Sequence, residues 1–159
     1  MPKKLSRDID YFEDYHMLAI VSHLKDYTLC YHININLNID LIKYEDLIFA
    51  PPLVGENSFS WYYFHDKING AIYYLIGNKG ESGNLVQSQN IADYFLLIKS
   101  TASKELIMSV TGRLRKTPNI SAVFGINMQQ TRDMDLLIET NELHELEYIK
   151  RRNDNNKFL

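Results

Sequence analysis

Ser58-Phe59-Ser60-Trp61-Tyr62-Tyr63-Phe64-His65-Asp66-Lys67-Ile68-Asn69-Gly70-Ala71-Ile72-Tyr73-Tyr74-Leu75-Ile76-Gly77 is the stretch on which the fold turns. Its two ends, Ser58 to His65 and Ala71 to Gly77, are aromatic and β-branched runs of strand length. Between them Asn69-Gly70 is the pair favoured where successive residues need positive φ, so the stretch reads as an antiparallel hairpin. Side chains alternate along a strand. Phe59, Trp61 and Tyr63 therefore share one face, and Tyr62 and Phe64 the other.

Tyr15 to Val21 upstream is short, apolar and ends in β-branched residues, which predicts another buried strand. Ser22 is placed to cap a helix over about 23–36, with Leu24, Tyr27, Tyr31 and Ile35 at steps of three and four as its inner face. Ile33, Ile35, Leu37 and Ile39 also alternate with asparagines in strand fashion, but the cap and the helical stripe favour the end of a helix. Pro51-Pro52 ends whatever Leu41 to Phe49 forms. Downstream, Ala92 to Lys99 reads as a strand. A helix over 103–116 follows, capped by Ser103, with Leu106, Ile107, Val110 and Leu114 facing inward. Pro118-Asn119 stops it before a strand over 120–126.

The predicted order is strand, helix, strand, strand, strand, helix, strand. It gives an α+β fold: a mixed, mainly antiparallel sheet with two helices on one face, a ferredoxin-like or split βαβ variant. The strands near 92–99 and 120–126 are expected as a parallel crossover pair. Residues 1–130 form the single domain, with a loose N-terminal tail. Residues 131–159 form a C-terminal extension: a peripheral helix, with Met134, Leu137, Ile138, Leu146 and Ile149 at helical spacing, and a tail.

The chain has 159 residues, enough to bury a core without staples, and a net charge of -3, which argues against a nucleic-acid partner. The single Cys30 cannot form an internal disulfide and points to a reducing compartment. No stretch resembles a signal peptide or a membrane span, so the expected location is the cytoplasm.

Motifs for chemistry fail on spacing. His144-Glu145-Leu146-Glu147-Tyr148 begins like a zinc-protease helix, but Tyr148 stands where the second histidine is needed, leaving a surface helix. The other histidines and Cys30 form no metal-ligand pair. Cys30 reads as a buried structural thiol. Gly77 to Gly83 has glycines, but Gly80 is followed by Glu81 and then a strand, which is the wrong order for a phosphate loop. No metal, cofactor or catalytic residue is expected.

Four blocks carry a family resemblance: Ser22-His23-Leu24-Lys25-Asp26-Tyr27 with Leu29-Cys30, Glu56 to Ser60, Tyr74 to Lys79, and Asp93 to Lys99. Together they resemble a bacterial family named for an Ile-Pro-Glu-x-x-x-Val-Asp-Tyr signature, the IPExxxVDY family, over residues 8–127. The signature falls on Val86 to Tyr94. Asp93 and Tyr94 match it, Val86 and Ala92 are apolar replacements, and Gln87 and Ser88 stand in place of Pro and Glu. The resemblance implies a small bacterial cytoplasmic protein and brings with it no activity, cofactor or catalytic residue.

These readings lead to a non-enzymatic module for protein interaction or regulation. Two helices cover one face of the sheet, so the other needs a cover, either from residues 131–152, whose apolar spacing is loose, or from a protein partner or a second copy. The second is favoured, with Trp61, Tyr63, Tyr73 and Tyr74 as the expected interaction residues. A second reading is a small-ligand-sensing domain resembling ACT-type domains, which also place a helix before a proline and then a strand, as Arg115 to Phe124 does here. Lys25, Asp26, Asp93 and Tyr94 would then line its pocket. A third is a ferredoxin-like sheet that stacks RNA bases on the same aromatics.

Overall fold

Trp61 pairs with Ile76, Tyr63 with Tyr74 and Asp66 with Ala71, folding the aromatic stretch back on itself as β5 (Trp61–Asp66) and β6 (Ala71–Gly77). The Asp66 carboxylate accepts hydrogen bonds from the Asn69 main chain and side chain, and Gly70 takes a φ of 68°. The computed structural model describes residues 12–101 and 104–156, with the backbone alone from 149 onward. The expected Ser103 cap, most of the N-terminal tail, the Ile149 side chain and residues 157–159 lie outside the described residues.

Around this hairpin the chain is a mixture of helix and a mainly antiparallel sheet. The remaining strands are β1 (Tyr15–Val21), β2 (Ile42–Lys43), β3 (Leu47–Phe49), β4 (Asn57–Phe59), β7 (Lys79–Gly80), β8 (Gly83–Asn84), β9 (Tyr94–Ser100) and β10 (Ala122–Gly125). The helices are α1 (Asp26–Leu37), α2 (Lys104–Arg115) and α3 (Met134–Asn156). Six strands form one sheet in the order β10-β1-β9-β6-β5-β2. β3 pairs with β4, and β7 with β8, as separate two-stranded ribbons.

Two clusters of buried side chains lie on alternate positions of the strands. One joins Leu18, Ile20, Tyr73, Leu75, Leu96 and Ile98 to Leu29, Cys30 and Ile33 of α1 and Val110 and Leu114 of α2. The other joins Met17, Ala19, Trp61, Tyr74, Phe95 and Leu97 to Met134, Leu137 and Ile138 of α3. Period-two alternation is what lets one sheet feed two cores.

Several expectations are corrected. The strand expected over 58–65 breaks at Ser60, whose carbonyl accepts the Gly77 N–H at 3.0 Å, and its two pieces join different sheets. β9 and β10 run in the same direction but are not a bonded pair. β1 lies between them and pairs antiparallel with both, using its two edges. Helix α1 begins at Asp26, not after Ser22; the Ser22 hydroxyl instead donates to the Asn119 carbonyl at 2.7 Å. Its inner face is Leu29, Cys30, Ile33 and Leu37, while Tyr27, Tyr31 and Ile35 are 62%, 63% and 60% exposed. Both stripes have helical spacing, and the one without aromatic rings is buried. The helix ends at Leu37, where Asn38 adopts the left-handed conformation that closes many helices.

The largest correction concerns α3, which is a full layer and not a peripheral helix. Its inward positions Asn141, Glu145 and Tyr148 meet the aromatic face of β5 and β6. Trp61 Nε1 donates to Asn141 Oδ1 at 2.8 Å. Tyr74 and Tyr63 donate to the Glu145 carboxylate at 2.5 and 2.8 Å. The His144 ring meets the Trp61 ring edge-on at 4.5 Å, and Tyr148 stacks on it at 5.4 Å. Asn141 and Glu145 are buried while Leu143 and Leu146 are exposed, which reverses the usual order of a surface helix. A sheet face rich in hydroxyl and indole donors selects acceptors from the helix that covers it.

Candidate polar cleft at the start of helix α1

Asp93 ends the loop that carries the chain from β8 to β9 and ties three strands together. Its main-chain N–H donates to Ile20, its carbonyl accepts from Asn78, and one carboxylate oxygen accepts the Ser22 N–H at 2.9 Å. The Tyr94 hydroxyl donates to the Leu24 carbonyl at 2.6 Å, holding the segment between β1 and α1 against the sheet. Burial, with Asp26 and Asp93 adding to it, pushes the Tyr94 hydroxyl up to about 12. Lys25 precedes α1 and its side chain is exposed. Burial pushes the Asp26 carboxyl upward, but hydrogen bonds from Lys43 (2.9 Å) and Tyr62 (2.8 Å) outweigh it, so the group stays below its ordinary range.

Lys25, Asp26, Asp93 and Tyr94 thus reach one cleft of about 530 Å³, whose walls also include Ser22, His23, Asp46, Ser58, Ser60, Lys79 and Glu81. A second cavity, about 290 Å³ and lined by Tyr15, Met17, Ile126 and Met128, presents far fewer polar groups.

Two glycines keep the cleft wall thin. A Cβ on Gly77 would lie 2.7 Å from Ser60 Oγ, and one on Gly80 would lie 2.5 Å from Asn57 Nδ2. Between them Asn78 is fully buried. Its amide donates to the Gln89 and Ala92 carbonyls at 2.8 and 2.7 Å, and its Oδ1 accepts the Val86 N–H at 3.0 Å. These bonds anchor the segment from Gly77 to Gly83, which carries the small β7–β8 ribbon instead of a flexible loop. Sequence reasoning misses Asp46, Ser58, Ser60, Asn78 and Lys79 as site residues. Gly77-Asn78, a glycine before a polar residue at a strand end, was the signal for a close backbone approach.

The expected interaction residues do not form an open surface. Trp61 and Tyr74 are fully buried under α3, Tyr73 is buried in the other cluster beside α1 and α2, and Tyr63 is partly buried against the α3 side. His144 to Tyr148, expected as surface, is the segment that covers Trp61, Tyr63 and Tyr74. Cys30 is buried, with its Sγ 3.5 Å from the Leu41 carbonyl. Burial pushes its thiol up to about 11, with Asp26 and Asp40 adding to that and the Asn34 amide opposing it. The thiolate is then a trace species at neutral pH. The native protein should react with a disulfide reagent far more slowly than the unfolded chain, and fast native labelling at neutral pH would contradict this placement.

Among the described residues no group of three or more His, Cys, Asp or Glu is arranged to hold a metal ion, and no helix is long and apolar enough to cross a membrane. No family model matches the chain, and no curated protein matches it.

Proposed function

We propose that the chain is a non-enzymatic regulatory module that binds a small zwitterionic metabolite in the polar cleft. The observation that carries this reading is the composition of the cleft wall. Separate segments deliver Lys25 and Lys79 against Asp46 and Glu81, while the Asp26 carboxylate is taken up by Lys43 and Tyr62. Two cations, one of them (Lys79) also donating to the Asn90 carbonyl, beside the carboxylates of Asp46, Glu81 and Asp93, the last with one oxygen held by the Ser22 N–H, suit a ligand that carries both charges, as an amino acid does, better than a polyanion.

Each of the four segments behind the resemblance to the IPExxxVDY family contributes to this wall, and membership of that family belongs to the same proposal. So does the finer reading of the fold. In that reading β1, α1, β6, β9, α2 and β10 form a ferredoxin-like core with both helices on one face, extended at one edge by β5 and β2. The order β10-β1-β9-β6 and the cluster shared by α1 and α2 support it. The small-ligand reading gains from the burial of the sheet aromatics, because an RNA-stacking platform needs exposed rings.

The test is thermal denaturation of the protein with a panel of amino acids and related zwitterions. A binder at tenfold excess over its Kd adds about 1.4 kcal/mol, or roughly 3–6 °C in Tm. The double variant Lys25→Ala with Glu81→Ala alters exposed side chains. It should keep the unliganded Tm and lose the shift. A panel without effect, or a shift that survives in the double variant, would refute the reading.

A further inference from the structure

Helix α1 presents an outward stripe of Tyr27, Tyr31 and Ile35, one turn apart and each more than half exposed. From Tyr27 through Ile39 the chain contains no Asp, Glu, Lys or Arg. Solvated helix faces normally carry charge, so an uncharged face with large apolar side chains is what remains when water is not its final neighbour. We infer that this face of α1 is the contact between two copies of the chain, packed as an antiparallel helix pair about a two-fold axis at Tyr31.

Two features select a second copy as the occupant. A two-fold contact sets a surface against itself, so any charge near the axis meets its own like. On a chain of net charge -3 the Tyr27–Ile39 face avoids that, whereas the other exposed helical pair, Leu143 and Leu146, is flanked by Glu139, Glu142 and Glu147. The stripe is also evenly spaced about its centre. With Tyr31 on the axis, Tyr27 of one copy lies over Ile35 of the other, and a tyrosine ring covers an aliphatic side chain at both ends. The area is modest. Three such side chains supply roughly 400 Å² per copy, about half of what a standard interface buries on each side. The dimer is therefore a weak one that forms at high concentration.

Sedimentation of the full chain over a concentration series from roughly ten to several hundred micromolar reads this directly. The mass of the native protein should rise toward twice the monomer. Tyr31→Glu, which sets two carboxylates at the axis, should weaken association at least about tenfold with Tm unchanged. Tyr27→Lys and Ile35→Glu should each weaken it alone, and the double variant should regain it, because each new lysine then faces a new glutamate. A native protein that stays monomeric throughout, a dimer indifferent to Tyr31→Glu, or single variants not rescued in combination would each overturn the inference. So would a monomer whose α1 face proves to bind a different protein.

Discussion

Replacing Trp61 by alanine should cost about 3–5 kcal/mol, lowering Tm by roughly 10 °C or more, without changing how the chain associates. The ring is fully buried and stacks between Tyr63 at 5.5 Å and Tyr148 at 5.4 Å, with His144 edge-on against it. Truncation opens a cavity where α3 meets the sheet and leaves Asn141 Oδ1, on a fully buried side chain, without its donor. Trp61→Phe separates the two effects. It restores much of the volume but not the hydrogen bond, so it should retain a cost of about 1–3 kcal/mol. Urea unfolding followed by far-ultraviolet circular dichroism measures both. A loss below about 1 kcal/mol for the alanine variant would mean that Trp61 is not enclosed by α3.

The second large effect is alkaline. Burial, reinforced by acceptor carboxylates, raises the hydroxyls of Tyr15, Tyr62 and Tyr74 well above the ordinary tyrosine range, with Glu142, Asp26 and Glu145 as the respective acceptors. A group whose pKa is raised on folding stabilises the native state fully below its unfolded pKa, near 10, and that contribution fades as pH climbs toward the folded value. Each such tyrosine removes about 1.4 kcal/mol per pH unit above 10, so the three together remove about 4 kcal/mol by about pH 11. That is a large share of the 5–15 kcal/mol that holds a typical domain together. Phenolate absorbance should therefore rise in two stages. The hydroxyls of Tyr15, Tyr62 and Tyr74 appear only in the second, a cooperative step that coincides with loss of circular dichroism. Smooth titration of all 11 tyrosines near pH 10 would show that these hydroxyls are not held as described.

The covered sheet face shows how far a one-dimensional reading extends. Alternation along Phe59, Trp61 and Tyr63 correctly implied a second apolar face, and two helices could not cover both. What closes it is a helix whose inward residues are Asn141, Glu145 and Tyr148, and whose leucines at 143 and 146 point outward. Hydrophobic periodicity finds the helix and its buried Met134, Leu137 and Ile138 but not the rest of the inward face, because there its partners are tyrosine hydroxyls and an indole N–H, which attract acceptors. The cleft was legible at four positions. Lys25, Asp26, Asp93 and Tyr94 do meet there, though Asp26 and Tyr94 have their polar atoms bound to the protein itself. Asp46, Ser58, Ser60 and Lys79 were not read as cleft residues, because isolated polar residues at strand ends carry no spacing signal.

Local chemistry determined what forms. Gly70 at positive φ, with Asn69 bonded back to Asp66, closed the hairpin, β-branched and aromatic runs made β1, β6 and β9, and Pro118-Asn119 ended α2 on time. The tertiary structure decided what faces what. Helix α1 carries two stripes of correct helical spacing, and only packing against Leu18, Tyr73 and Leu96 chose the one without aromatic rings for the core and left Tyr27, Tyr31 and Ile35 outside. β1 could take β9 on one edge and β10 on the other only once the sheet existed, which set the two parallel-running strands apart. Propensity and periodicity act over a few residues, whereas the choice of face, edge and partner depends on surfaces far apart in the chain and reaches its lowest free energy only when all of them are buried together.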